Sequence, residues 1–310
     1  MIIGLDIGGT NIRAGLVHNG KIVKCVRLPT CANIGPDKSL EQIKRTVQSL
    51  LKKASATASA IGIGVAGIID SDQGIVRYSP NFKGWCNIGL ARILAKEFKK
   101  PVKVINDVNA ILLGEWKYGA AKGYRNVFLF TLGTGVGGAA VCEGNLVFGS
   151  CGFAGEFGHM TIKYNGAKCV CGNKGCLERY VGARYIVAKA KALARKTRSV
   201  LWKYNKLTPK IIAREARNGD ETARQILTKI GYLIGVGVSN IINLLDPQIV
   251  VISGGIARAG GILFRPIRKA AHQRVVGSEY RRYEIVPGKL SDNAGILGAA
   301  YFASQKSLRR

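Results

Sequence analysis

A repeated pattern constrains this chain more than any other feature. Residues 2–23 read as a strand, a glycine-rich turn, a second strand, an Asn-Gly turn and a third strand, and residues 127–147 read the same way. The first turns are Asp6-Ile-Gly8-Gly9-Thr10 and Leu132-Gly133-Thr134-Gly135-Val-Gly137-Gly138. The second turns, Asn19-Gly20 and Gly144-Asn145, have hairpin chemistry, because tight hairpin turns need left-handed backbone that Gly and Asn supply cheaply. Each block continues into further strand and helix periodicities. Two copies of a hairpin-led α/β lobe are therefore expected, with an active-site cleft between them.

The periodicities predict helices over 39–54, 90–98, 108–118, 182–197, 223–245 and 294–304, and buried strands over 61–66, 102–105 and 249–253. Residues 1–108 with 294–310 are expected to form a smaller lobe completed by the C-terminal helix. Residues 109–293 are expected to form a larger lobe that carries a metal loop and a dimerisation surface.

The chain has 310 residues, 47% of them apolar, enough for a substantial buried core. No apolar run reads as long enough to span a bilayer. The start, Met1-Ile-Ile-Gly-Leu-Asp6, reads as a buried strand and not as a leader, so a cytoplasmic protein is expected. Eight cysteines in that setting predict free thiols and a metal site, not disulfides. The net charge of +29 is concentrated between Lys189 and Arg217, where ten Lys or Arg face one acid, Glu215, and again between Arg265 and Arg282. Such stretches suit a polyanion. No nucleic-acid motif accompanies them, so they read as solvated helix faces, and neither nucleic acid nor membrane is expected as a partner.

One short loop concentrates chemistry. It reads Glu156-Phe-Gly-His159, then Cys169-Val-Cys171-Gly-Asn-Lys-Gly-Cys176-Leu-Glu178. Three thiols and an imidazole match tetrahedral zinc, and four protein ligands make a closed, structural site. The other cysteines (Cys25, Cys31, Cys86, Cys142, Cys151) show no such clustering. Zinc on His159, Cys169, Cys171 and Cys176 would tie down the loop that carries Glu156 and Glu178.

The glycine turns read as phosphate loops. Gly8, Gly9 and Thr10, and then Gly133, Thr134 and Gly135, let backbone amides approach an anion. Each links two strands, so neither is a P-loop nor a dinucleotide fingerprint, which open helices. A third loop, Ser253-Gly254-Gly255-Ile256, leaves bare backbone for an adenine or ribose. Asp6, at a strand end beside the first turn, is placed to hold Mg²⁺ through water or to cap the turn. Asn106-Asp107-Val-Asn109 follows a strand and opens a helix, so Asp107 is either a base for a sugar hydroxyl or a helix cap. Asn81, Asn106, Asp107, Glu156, His159 and Glu178 offer the directed polar groups a sugar needs.

These residues resemble the ROK family (repressors, open reading frames and sugar kinases) over essentially the whole chain. The resemblance rests on Asp6-x-Gly-Gly-Thr10, Asn106-Asp-x-Asn-Ala110, Leu132-Gly-Thr-Gly-Val-Gly-Gly138, Gly155-Glu-x-Gly-His159 and Cys169-x-Cys-Gly-x-x-Gly-Cys-x-Glu178. It implies the two-lobed, actin-like, hexokinase-type ATPase fold, a duplicated ribonuclease H-like α/β unit. It implies ATP-dependent phosphorylation of a hexose 6-hydroxyl, glucose first, with N-acetylmannosamine, N-acetylglucosamine, fructose or allose as alternatives. It assigns Asp107 as base, places Gly67, Asn81, Asn106, Glu156, His159 and Glu178 at the sugar, and puts Mg²⁺ with the nucleotide. It also implies a homodimer, sometimes a tetramer. The chain departs from many members at Asn11, where they carry Lys near the phosphates, and at Ala66-Gly67, where bacterial glucokinases often have Pro-Gly. Family regulators carry a DNA-binding domain before the kinase-like part, and the first strand here already starts at Ile2. The charge raises polyphosphate as a further candidate donor.

Overall fold

A strand buried along its whole length must lie inside a sheet covered on both faces. Residues Ala60–Val65, Ala-Ile-Gly-Ile-Gly-Val, meet that condition, with every residue buried. This computed structural model describes residues 1–52 and 58–305. These described residues form two compact units, those within Met1–Gly123, Asn145–Ala154 and Lys289–Arg310 making the first and those within Tyr124–Gly144 and Gly155–Gly288 the second.

The first unit runs β1 (Ile2–Ile7), β2 (Asn11–His18), β3 (Lys21–Pro29), α1 (Pro36–Lys52), β4 (Ala60–Val65), β5 (Ile68–Asp70), β6 (Ile75–Tyr78), β7 (Cys86–Ile88), α2 (Leu90–Phe98), β8 (Val102–Asn106) and α3 (Asp107–Tyr118). Its main sheet has the order β3-β2-β1-β4-β8, while β5, β6 and β7 make a small separate sheet. β1, β4 and β8 are parallel, so Ile7, Val65 and Asn106 come level at one edge. The helix expected over 39–54 begins earlier, at Pro36, and its expected end at Ala54 lies outside the described residues.

Helix α9 (Ala294–Ser304) returns to this unit and lies directly on the sheet. Gly62 permits that approach, since a methyl group there would sit 1.9 Å from the Ala299 carbonyl oxygen. The expected end of this lobe, from 306 on, lies outside the described residues. Glu115 on α3 is fully buried. Its carboxylate accepts from the amides of Leu290 at 2.8 Å, Ala120 at 2.9 Å and Lys289 at 3.1 Å. β11 (Asn145–Leu146) begins the short segment that groups with this unit.

The second unit contains β9 (Val127–Leu132), β10 (Val136–Cys142), α4 (Glu178–Val181), α5 (Ala183–Ala194), α6 (Pro209–Arg217), α7 (Glu221–Leu245), β12 (Ile249–Ser253), α8 (Gly261–Arg274) and β13 (Glu284–Pro287). Its strands β10, β9, β12 and β13 lie side by side in that order, repeating β2-β1-β4-β8. The expected duplication is present. One reading of the sequence needs correction: α7 is long and apolar enough to cross a membrane by length and composition. Most of its apolar stretch is buried inside the unit, where Gly231 and Gly235 let α8 pack against it. Its length and apolarity are those of a core helix.

Candidate functional site

The parallel register of the first unit collects three sequence motifs at one sheet edge. The Gly8–Thr10 turn leaves β1, Ala66-Gly67 leaves β4, and Asn106-Asp107 leaves β8. Strands sit about 4.8 Å apart, so Asp107 lies two strand spacings from the turn, on the order of 10 Å. This carboxyl edge is where α/β sheets place ligands.

Asn106 takes the helix cap. Its Oδ1 accepts from Val108 N at 2.9 Å and Asn109 N at 3.3 Å, and its Nδ2 donates to the Gly67 carbonyl at 3.1 Å. Asp107 is the first residue of α3, and its Oδ1 accepts from Val108 N at 3.0 Å. A carboxylate on the first turn is favoured by the helix dipole. Gly67 has φ +128°, and a methyl group on it would meet the Tyr78 carbonyl oxygen at 2.4 Å.

The first turn is closed by Gly8 N donating to Asn11 O at 3.0 Å. Asn81 lies against it, with the direction of a Gly9 side chain leading to Asn81 Cβ at 3.5 Å. Gly9, Thr10 and Asn81 share a cavity of about 940 Å³ with Asn33, Lys83 and Trp85. Asp6 is 17% exposed, with Arg13 Nε 4.0 Å from its Oδ2. Burial pushes the Asp6 carboxyl above the ordinary aspartate range, Arg13 opposes this, and Asp292 adds to it.

In the second unit the Gly133–Gly135 turn occupies the matching position. Ser253 pairs with Thr131, so the Gly254-Gly255 loop emerges at the same edge. Gly254 has φ +105°, and a methyl there would lie 2.2 Å from the Leu132 carbonyl oxygen. Gly133 and Gly255 face open space. Glu178 opens α4, and its Oε2 accepts from Val136 N at 2.9 Å. Thr134 sits within the turn, whose Gly133 carbonyl accepts from Ala183 N at 3.1 Å. Glu178 thus joins the glycine turn to the cysteine loop, a link that sequence reading did not find.

The four expected metal ligands converge. One donor atom from each of His159, Cys169, Cys171 and Cys176 lies within 4.8 Å of the others. His159 Nδ1 is 3.8 Å from Cys169 Sγ, and the Sγ atoms of Cys171 and Cys176 are 3.7 Å apart. A tetrahedral ion with sulfur at about 2.3 Å separates its sulfurs by about 3.8 Å, so the cluster has the right edge lengths. The Cys169 thiol resists charging through burial. Hydrogen bonds from the Cys171 amide, His159 and the two other thiols nevertheless bring it down to about 7. Cys176 is pushed up to about 12, first by burial and then by the neighbouring sulfurs. Three thiols this close favour a bound cation, which lets all of them ionise. The other ring nitrogen, His159 Nε2, lies 3.8 Å from Glu156 Oε2, and Glu156 is 71% exposed.

Each unit therefore gathers its own set of expected residues: Asp6, Gly8, Gly9, Thr10, Asn11, Gly67, Asn81, Asn106 and Asp107 in the first, the two later glycine loops, Glu156, Glu178 and the metal ligands in the second. Sequence reading missed Thr30, Arg27 and Arg13 around the first turn. Thr30 Oγ1 donates to Gly8 O at 2.6 Å, and Arg27 Nε donates to Asn11 Oδ1 at 3.1 Å.

Comparison with known proteins gives a consistent picture. The model of the ROK family matches residues 2–306. A glucokinase of Thermotoga maritima is 38% identical, with 98% of both chains covered. A ROK family glucokinase from Streptomyces griseus, solved with glucose and AMPPNP, superposes with a TM-score of 0.86 at 32% identity, covering 97% of this chain and 98% of that one. A xylose repressor of Caldicellulosiruptor bescii is 32% identical over 96% of this chain and 76% of its own length. The fold is accordingly the actin-like, hexokinase-type ATPase fold.

Proposed function

The chain belongs to the ROK family, and from that membership we propose that it is a glucokinase. It is an ATP-dependent sugar kinase that transfers the terminal phosphoryl group of ATP to the 6-hydroxyl of a hexose, with glucose as the preferred acceptor. The observation that carries this reading is kinship to a glucokinase over 98% of both chains.

Asp107 orients the 6-hydroxyl and takes its proton. Phosphoryl transfer runs through a loose transition state, so a carboxylate of ordinary basicity suffices. Gly67, Asn81, Asn106, Glu156, His159 and Glu178 bind the sugar. Gly8, Gly9, Thr10, Asn11, Gly133, Thr134, Gly135, Gly254 and Gly255 bind the nucleotide. Asp6 would hold, through water, the Mg²⁺ that accompanies ATP, and that ion would offset phosphate charge. Zinc fits His159, Cys169, Cys171 and Cys176 by donor type and spacing and would be structural. It would fix the His159 ring through Nδ1 and leave Nε2 for the sugar side. A cytoplasmic homodimer is the form in which we expect the enzyme to act.

A panel of hexoses assayed with ATP and Mg²⁺ for ADP release tests the reading. Glucose is expected to give the highest kcat/KM, and ATP to outperform polyphosphate as donor. A higher kcat/KM on N-acetylmannosamine, N-acetylglucosamine, fructose or allose would reassign the substrate. The kinship with a xylose repressor favours one second reading, a sugar-sensing protein, which predicts sugar binding without ADP release from any acceptor.

A further inference from the structure

This inference deepens the kinase reading and rests on it. The back of the first glycine turn is fastened to the end of β3 by Thr30, which donates from Oγ1 to Gly8 O and from its amide to Thr10 O at 3.0 Å. In a trans peptide the N–H points opposite to the carbonyl before it. The amides of Gly9 and Asn11 therefore point away from Thr30, as an anion-binding turn requires. Amide dipoles carry only partial charge, and the terminal phosphates of a nucleotide call for full positive charge as well.

Two arginines stand opposite each other on the strands beside this turn, Arg13 on β2 and Arg27 on β3. Their partners differ. Arg13 Nη1 is 3.0 Å from Asp292 Oδ1, and its Nε is 4.0 Å from Asp6 Oδ2, so carboxylates already answer its charge. Arg27 is exposed and donates from Nε to the uncharged side-chain oxygen of Asn11. No ion pair between Arg27 and an acid occurs among the described residues. A guanidinium held through Nε by a neutral acceptor is fixed in direction and keeps its Nη donors for a further acceptor. Phosphate oxygens are the acceptors that match that fork. Asn11 follows Thr10 directly, so the tether sets the cation beside the turn.

We propose that Asn11 positions Arg27 as the protein cation for the terminal phosphates of the nucleotide at the first glycine turn. The charge that a lysine at position 11 would bring comes here from the neighbouring strand. Arg27 binds the phosphates, and the side chain of Asn11 acts through it as a positioning group, leaving the Asn11 amide to the turn.

The test compares the wild type with Arg27→Gln, Asn11→Ala and the double variant Arg27→Gln/Asn11→Lys, measuring KM for ATP and for glucose and calorimetric affinities for ADP and AMP. Arg27→Gln is expected to raise KM for ATP about tenfold and weaken ADP similarly, while AMP changes less than about twofold. Asn11→Ala is expected to shift ATP and ADP in the same direction by a smaller factor. Asn11→Lys in the Arg27→Gln background is expected to restore most of the loss, which a purely structural role for Arg27 would not allow. The proposal is overturned if Arg27→Gln, with an unchanged melting temperature, leaves ATP and ADP within twofold of wild type, or weakens AMP as much as ADP. If the wild type phosphorylates no sugar, the kinase reading fails separately, and the ADP-against-AMP comparison still decides the role of Arg27.

Discussion

The turns at 8–10 and 133–135 occupy the same place in two sheets of the same strand order, yet they are braced by different chemistry. Behind the first stands a buried threonine hydroxyl, with Asp6, Arg13 and Arg27 on the three strands beside it. Behind the second stands the carboxylate of Glu178, whose helix begins two residues after Cys176. The duplicated backbone supplies a phosphate-binding shape twice. What was added to each copy separates their work. The first unit holds the groups suited to charge and proton handling, and the second holds a Cys3His cluster on which a bound metal would stiffen the segment bearing Glu156, His159 and Glu178.

This division makes kinetic predictions. The largest concerns Asp107→Asn. Asn106 carries the helix cap, and the new amide oxygen can still accept from Val108 N, so the start of α3 should persist. Removing this carboxylate is expected to lower kcat by about 100- to 10,000-fold. Calorimetric affinity for glucose should change by less than about threefold. A near-normal kcat would remove Asp107 from the chemistry and with it the first unit's claim to the proton.

Next in size is Cys171→Ser, which touches only the second unit. Metal analysis is expected to show zinc falling from about one per chain to none. KM for glucose should rise about tenfold or more, while kcat at saturation holds within a few-fold. Full zinc content in the variant, or a collapse of kcat at unchanged KM, would break the division between the units.

Parts of this were legible before any coordinates. The duplication showed because each copy begins with a strand interrupted by glycines, and α2, β12 and α9 fall on the expected residues because apolar period and terminating signals agree there. The Cys3His cluster showed because Gly172 and Gly175, both at positive φ, fold three cysteines into one turn. The contest at 106–107 stayed open in the sequence, since Asn and Asp both cap helices, and packing gave the cap to Asn106. Arg27 could not have been found that way. The Asn19-Gly20 hairpin alone would pair Arg13 with Val26. A bulge between Leu16 and Val17 shifts the register by one, so that Arg13 faces Arg27 instead. A one-residue shift exchanges the faces of a strand, and nothing in the local residues announces it. The contact of Glu178 with Val136, 42 residues apart, is likewise a product of the tertiary fold.

A third prediction separates bracing from function. Glu115 uses the same device as Glu178, a carboxylate accepting from backbone amides, but it is fully buried and ties α3 to Lys289 and Leu290. Glu115→Ala leaves three amides without their acceptor and should cost about 2–4 kcal/mol of stability by denaturant titration. Kinetic constants of the folded fraction should stay near wild type, whereas Glu178→Ala should raise KM for glucose. Equal kinetic damage from both would show that the contrast between the two carboxylates is not one of function.

The smallest effect concerns Asp6. Burial, reinforced by Asp292 and opposed by Arg13, raises its carboxyl above the ordinary aspartate range. The folded chain therefore keeps this proton at pH values where the unfolded chain has released it. Where the folded state binds more protons, stability falls as pH rises. The contribution of Asp6 is thus fully present below the ordinary aspartate range and is lost as pH climbs to the raised value. Above that value the ionised carboxylate is a burden on the fold, as expected of a group retained for a ligand. Asp6→Asn should melt at a higher temperature than wild type at pH 7, with the gap closing in acid, while turnover with MgATP falls. A variant that melts lower at pH 7 would mean that the attraction of Arg13 outweighs burial. The charges around the first turn would then stabilise the fold in their own right, and the contrast with the second turn would rest on Asp107 and Arg27 alone.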